Sequence, residues 1–190
     1  MSLYEWLVRQ AVFPAHERLR GRRTIREFEA LHELAGHSPH VVNARAQQRL
    51  RALLKFAAQE LPFYTERFAS CGLDPGAADA RAELARLPVL RKPEVRANAE
   101  RMVWPAVRGG LLPCVSGGTT GDTLHFYIDR RRAAQSMAAR LFMQSLFGVW
   151  PGDRRIWLWA SPIELKRSRV RRWRDRLINE IVLDAFDMSP

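Results

Sequence analysis

Leu111-Leu112-Pro113-Cys114-Val115-Ser116-Gly117-Gly118-Thr119-Thr120-Gly121-Asp122-Thr123-Leu124-His125-Phe126-Tyr127-Ile128 is the passage that decides how this chain is read. A short apolar run enters it, and a run alternating enough for a strand leaves it. Between them, Ser116 to Gly121 hold three glycines and three hydroxyl side chains. Before this passage the pattern is helical; after it strand and helix patterns alternate, which points to an α/β layer fold. Asp129 stands where it can cap a helix running to about Phe147, with Ala133, Met137, Ala138, Leu141 and Leu146 on one side and Gly148 at its end. Pro151-Gly152-Asp153 is turn chemistry, and Ile156-Trp157-Leu158-Trp159-Ala160 reads as a buried strand.

Upstream, the clearest helix spans about 42–60. Leu50, Leu53, Leu54, Ala57, Ala58 and Leu61 fall on one stripe, and Pro62 closes it. Phe63 to Phe68 reads as a second short helix, and Gly72-Leu73-Asp74-Pro75-Gly76 as a turn. Leu87 to Glu94 reads as an extended entry into a helix with Pro93 in its first turn. Thr24-Ile25-Arg26-Glu27 has the form of a capping box, with Gly36 as the stop of the helix it opens. At the N-terminus, Leu3, Tyr4, Trp6, Leu7, Val8, Val12 and Phe13 make an apolar-rich stretch stopped by Pro14, followed by Arg18, Arg20, Arg22 and Arg23. Such a segment either packs on the body of the protein or lies on an anionic membrane. Residues 1–44 read as a helical extension and residues 45–190 as the body.

The 190 residues carry a net charge of +11 with 47% hydrophobic residues, a globular composition that attracts anions without naming them. No nucleic-acid recognition motif is present, so no specific nucleic-acid partner is expected. Cys71 and Cys114 make neither a disulfide framework nor a zinc pattern. The N-terminus has no signal-peptide pattern and no apolar run is long enough to span a bilayer, so a reducing cytoplasm is the expected location. His32 and His37 are five apart with Gly36 between them, so they share no helix face and no metal site is expected.

The chemistry rests on Ser116, Gly117, Gly118, Thr119, Thr120 and Gly121. Glycines admit φ > 0 and bring backbone amides close to a ligand, and consecutive N–H groups form a nest for phosphate oxygens. The hydroxyls of Ser116, Thr119 and Thr120 add donors without a buried charge. The lysine of a Walker A loop is missing, and Cys114 stands where a nucleophile elbow has glycine. On the residues alone two readings stand: a phosphate-binding loop, or a glycine-rich hairpin turn with no ligand.

The passage 116–121 resembles the phosphate-loop signature of adenylate-forming enzymes, usually Ser-Ser-Gly-Thr-Thr-Gly. Its surroundings resemble the phenylacetate–CoA ligase branch, including relatives from polysaccharide gene clusters. Leu61 to Phe68 is similar to that branch's "vPyYrerf" segment, Leu87 to Lys92 to its "lPiltK" segment, and Leu124 to Asp129 to the strand after the loop. Gly148-Val149-Trp150-Pro151-Gly152-Asp153 resembles its "G-x-x-x-G-D" turn. The likeness runs over about residues 45–160. Gly117 departs from the signature by removing one hydroxyl, and Asp122 by placing a carboxylate where relatives often carry lysine.

This resemblance implies an ATP-dependent ligase in which a carboxylate substrate attacks the α-phosphate of ATP, with Mg²⁺ present, and the acyl group passes to coenzyme A or another acceptor. It implies that Ser116 to Gly121 hold the nucleotide. It also implies adenine, ribose and Mg²⁺ motifs and a lysine-bearing domain beyond Pro190. The chain is therefore expected to be the incomplete N-terminal part of such an enzyme, inactive alone. An alternative of another class is a non-enzymatic basic module. It would use Lys166 to Arg176, and the segment 1–23, to bind anionic membrane or nucleic acid. Arg130-Arg131-Arg132 opens a helix against its dipole and suggests an anionic neighbour. His125, beside the loop, reads either as a nucleotide contact or as a structural histidine.

Overall fold

The computed structural model describes residues 2–116, 123–159 and 169–185. The described residues mix helix and sheet and form two units, one from residues 1–32 and 130–190, the other from residues 33–129.

In the first unit the chain opens with α1 (Leu3–Leu7), a π-helical segment (Val8–Val12) and α2 (Phe13–Leu19), joined end to end. Ser2 and Glu5 form a capping box: the Glu5 amide donates to Ser2 Oγ at 3.2 Å and the Ser2 amide to Glu5 Oε2 at 2.5 Å. Pro14 does not stop this helix. A proline ring crowds the carbonyl four residues before it and donates no hydrogen bond. Here the wide π turn, closed by the Phe13 amide on the Val8 carbonyl, comes immediately before and relieves both demands. Val8 and Phe13 are buried, so this stretch packs into its unit, while Leu3, Tyr4, Trp6 and Leu7 stay exposed.

Glu17 lies four residues after Phe13, on the same buried face, and is 1% exposed. Its carboxylate accepts from the Thr24 hydroxyl at 2.5 Å and pairs with His16 at 3.2 Å and Arg22 at 3.7 Å. Thr24 is thus the first residue of α3 (Thr24–Ala35), and its hydroxyl reaches back to α2 rather than capping its own helix. Glu27, the other half of the expected box, accepts from Gln135 Nε2 at 3.2 Å and pairs with Arg131 at 3.6 Å. A buried carboxylate needs partners more than a helix start needs its own cap, and that demand decides the arrangement.

Helix α8 (Arg130–Ser145) buries Ala134, Ala138 and Leu141, whereas Leu146 of the expected stripe is exposed beyond its end. Strand β3 (Arg155–Trp159) pairs in parallel with β4 (Glu180–Asp184), in the register Ile156 to Ile181 and Leu158 to Leu183; α9 (Arg169–Leu177) connects them. The strand at 155–159 is therefore as expected, but it is not buried on both sides. Ile156 is 66% and Leu158 58% exposed, with Ile181 and Leu183 exposed beside them. The other face carries the Arg155–Glu180 ion pair at 2.7 Å. Gly148 ends the turn after α8 with φ +71°, and Gly152 adopts φ +100°. A Cβ on Gly152 would stand 2.8 Å from the Glu5 carbonyl oxygen, so only glycine lets this turn meet α1.

The second unit is built on α4 (Pro39–Glu60), which begins earlier than its stripe suggests. Leu54 and Ala57 are buried with Phe68, Leu73 and Ala80, and Leu50, Ala58, Leu61, Tyr64 and Leu87 pack around them. Leu53, on the edge of the stripe, is exposed. Leu61 is extended before Pro62, as a residue preceding proline prefers, and α5 (Pro62–Ser70) follows. Helix α6 (Ala80–Ala85) is capped by Asp79, which accepts from the Arg81 and Ala82 amides, each at 3.1 Å. In α7 (Lys92–Ala97) a proline occupies the first turn after an extended Arg91.

Two measurements probe the first unit. Replacing Glu17 by alanine leaves Thr24 and Arg22 without their buried acceptor and is expected to cost about 2–4 kcal/mol in urea-induced unfolding. Burial holds the His16 pKa below its ordinary 6.5, outweighing the adjacent Glu17 carboxylate, with Arg174 and Arg20 adding to the lowering. The unfolded chain therefore takes up this proton first. The associated stability is complete above 6.5 and is lost as pH falls from there towards the folded value. His16→Gln is expected to flatten that part of a stability–pH profile.

Candidate functional site

Strands β1 (Leu112–Val115) and β2 (His125–Ile128) form an antiparallel hairpin, with Leu112 opposite Ile128 and Val115 opposite His125. Gly109 and Gly110, at φ +89° and +77°, turn the chain into it. One step beyond the last strand pair, the Ser116 amide donates to the Leu124 carbonyl at 2.9 Å. The Leu124 amide returns a bond to Ser116 Oγ at 2.8 Å. This reciprocal pair closes the stem. Arg96 of α7 donates from Nη2 to the Thr123 carbonyl at 3.0 Å, fixing the other side of the stem.

Among the six proposed nucleotide-binding residues the structure describes Ser116. Gly117, Gly118, Thr119, Thr120 and Gly121, with Asp122, lie outside the described residues. His125, Phe126 and Tyr127 are exposed on the hairpin. Cys114, opposite Phe126, and Cys71 are both free thiols.

The segments at 61–68 and 87–94 are tied together by one side chain. Arg67 donates from Nη2 to the Pro88 carbonyl at 2.6 Å and from Nη1 to the Glu94 carboxylate. Phe63 is buried beneath the Arg67 guanidinium, 5.6 Å from it, and Phe68 is buried in the adjacent core. Arg67 and Arg96 escaped sequence reasoning because an arginine on a helix announces charge, not the distant carbonyl it reaches.

Of the arginines at the start of α8, Arg131 pairs with Glu27 and Arg130 donates to the Arg20 carbonyl at 2.7 Å. The anionic neighbour suggested by this cluster includes Glu27 of the same unit. In the basic run, Lys166 to Ser168 lie outside the described residues; Arg174 of α9 pairs with buried Asp175, while Trp173 is 72% exposed. Among the described residues, no three His, Cys, Asp or Glu side chains gather to hold a metal ion, and no helix is long and apolar enough to cross a membrane.

Among curated proteins, the chain is 22% identical over 141 residues to Protein CapK of Staphylococcus aureus. The alignment takes in 73% of this chain and 31% of that protein, so the chain spans about a third of this relative's length. No protein-family model matches the chain. No solved structure matches it.

Ser116→Ala removes the acceptor that holds the Leu124 amide. The hairpin is exposed, so the expected loss is local, about 0.5–1.5 kcal/mol. It should appear as faster hydrogen exchange at the Leu124 amide, with amides in α4 unchanged.

Proposed function

We propose that this chain is an N-terminal portion of an ATP-dependent, carboxylate-activating ligase of the adenylate-forming class, in which residues 116–121 bind the phosphates of ATP. The observation that carries the reading is the hairpin stem. It brings Ser116 and Leu124, which flank a glycine-and-hydroxyl passage, together through a reciprocal pair of hydrogen bonds, with Arg96 bracing Thr123 beside them. A loop mounted on a fixed stem suits a reaction in which catalysis is mainly positioning and charge stabilisation. The order of the similar segments along the chain supports it further.

In this reading Ser116, Thr119 and Thr120 donate hydroxyl hydrogens, and the backbone amides of Gly117, Gly118 and Gly121 take phosphate oxygens. Mg²⁺ with the nucleotide would offset phosphate charge, and coenzyme A is the acceptor that the resemblance implies. The hydroxyl and amide donor set fits a triphosphate. The carboxylate-binding residues and the remaining nucleotide contacts are assigned to the rest of the whole protein, and the 190-residue chain is expected to carry out no adenylation alone.

A second reading is favoured by one observation. Trp173 stands exposed in a helix rich in arginine, which suits an anionic membrane or nucleic acid. Titration calorimetry of the 190-residue chain with Mg-ATP separates the two. Under the ligase reading, Thr119→Val/Thr120→Val should weaken ATP binding about tenfold or more, while binding of DNA or anionic vesicles is unchanged. ATP binding that ignores the double substitution would sink the loop assignment. Tight, strongly salt-dependent binding of vesicles or DNA would favour the basic module instead.

A further inference from the structure

Within the first unit, α2, α8, α9 and the inner face of the β3–β4 pair enclose a cleft of about 790 Å³. That is the size range of small-molecule sites. Its lining contains five arginines, Arg20, Arg22, Arg140, Arg155 and Arg174, against two glutamates, Glu17 and Glu180. These acids offset part of the charge, as does Asp175, which pairs with Arg174. Glu17 serves Thr24, His16 and Arg22, and Glu180 pairs with Arg155 at 2.7 Å. His16, held towards its neutral form by burial, does not add to the acids.

Arg155 forms part of the floor. Its side chain is 10% exposed, Nη1 donates to Gln144 Oε1 at 2.9 Å, and Nε has no hydrogen-bond partner. A guanidinium buried this far with an N–H unsatisfied is costly, and a further oxyanion nearby would lower that cost. At the mouth, exposed Arg140 lies over the Trp157 ring, 5.1 Å from its centre, and Phe13, Leu141 and Ile178 supply apolar wall. The combination is a cationic floor with an aromatic side, which holds a compact oxyanion attached to an organic body.

We propose that the cleft lined by Arg20, Arg22, Arg140, Arg155, Arg174 and Trp157 binds a small molecule bearing phosphate or carboxylate groups. The site is separate in sequence from the glycine-rich loop and stands whether or not that loop binds ATP. Phosphate and carboxylate present the same paired oxygens to a guanidinium fork, so the probes must distinguish them.

The test is titration calorimetry of the 190-residue chain carrying Thr119→Val/Thr120→Val, at constant ionic strength, with inorganic pyrophosphate and with citrate. One saturable site for either probe is expected. Pyrophosphate preferred over citrate identifies a phosphate-bearing ligand, and the reverse a carboxylate-bearing one. Arg140→Gln and Arg20→Gln should each weaken binding about tenfold, and Arg140→Lys should restore part of it. Arg108→Gln, an exposed arginine of the other unit, should change nothing. Arg140 and Arg20 are exposed, so these variants should keep the far-UV circular dichroism of the parent.

The proposal is overturned if neither probe saturates, or if all three arginine-to-glutamine variants weaken binding alike, as a diffuse charge effect would. It is also overturned if pyrophosphate binds the unmodified chain and not the loop double variant. That last result would assign the anion to the loop and leave the ligase reading standing.

Discussion

The Glu17 carboxylate is the constraint around which the first unit is arranged. A carboxylate with almost no exposure is costly to bury unless it is paired and hydrogen-bonded. Satisfying it fixes the spacing of α2 and α3 through Thr24, brings Arg22 across the intervening turn, and keeps His16 at hand. The same requirement overrides local propensity. The Thr24-x-x-Glu27 pattern suggests a self-contained helix start, yet both of its side chains serve partners outside that first turn.

The second unit shows the opposite balance, in which apolar periodicity settles most of the structure. The stripe along α4 supplies the buried Leu54 and Ala57, Pro62 marks the break, and Gly72 with Asp74 and Gly76 forms the turn. Leu53 lies on the edge of the stripe and ends exposed, since periodicity gives a face but not its width. Arg67 then joins the segments at 61–68 and 87–94 through the Pro88 carbonyl and Glu94. No pattern of residue types states that connection, because its acceptors are a main-chain oxygen and an acid far along the chain.

The hairpin that flanks the candidate passage was legible in outline. Two strand-forming runs around small residues specify a hairpin, and the structure supplies its register, its closing Ser116–Leu124 pair and the Arg96 brace. The register and the brace depend on tertiary placement, which residue types alone do not carry. Pro14 was misread for a related reason: proline normally ends a helix, but a π turn one step earlier removes the clash. Likewise the apolar run of β3 promised burial on both faces. The alternating exposure of Arg155, Ile156, Trp157 and Leu158 shows that its polar and aromatic side, rather than its aliphatic side, faces the helices of the unit.

The turn at Gly152 has a consequence for how such sequences are compared. Its α-hydrogen occupies a gap in which a methyl carbon would lie 2.8 Å from the Glu5 oxygen and 3.1 Å from the Val8 Cβ. The neighbouring Asp153 carboxylate accepts from the Trp150 amide at 2.7 Å, and Asn179 donates to the Gly152 carbonyl at 3.0 Å. Here the Gly-Asp pair is a joint, not a reagent. Selection for the joint alone would preserve such a dipeptide through any change of chemistry, so its presence in a sequence marks a packed turn and carries no information about what that chain reacts with.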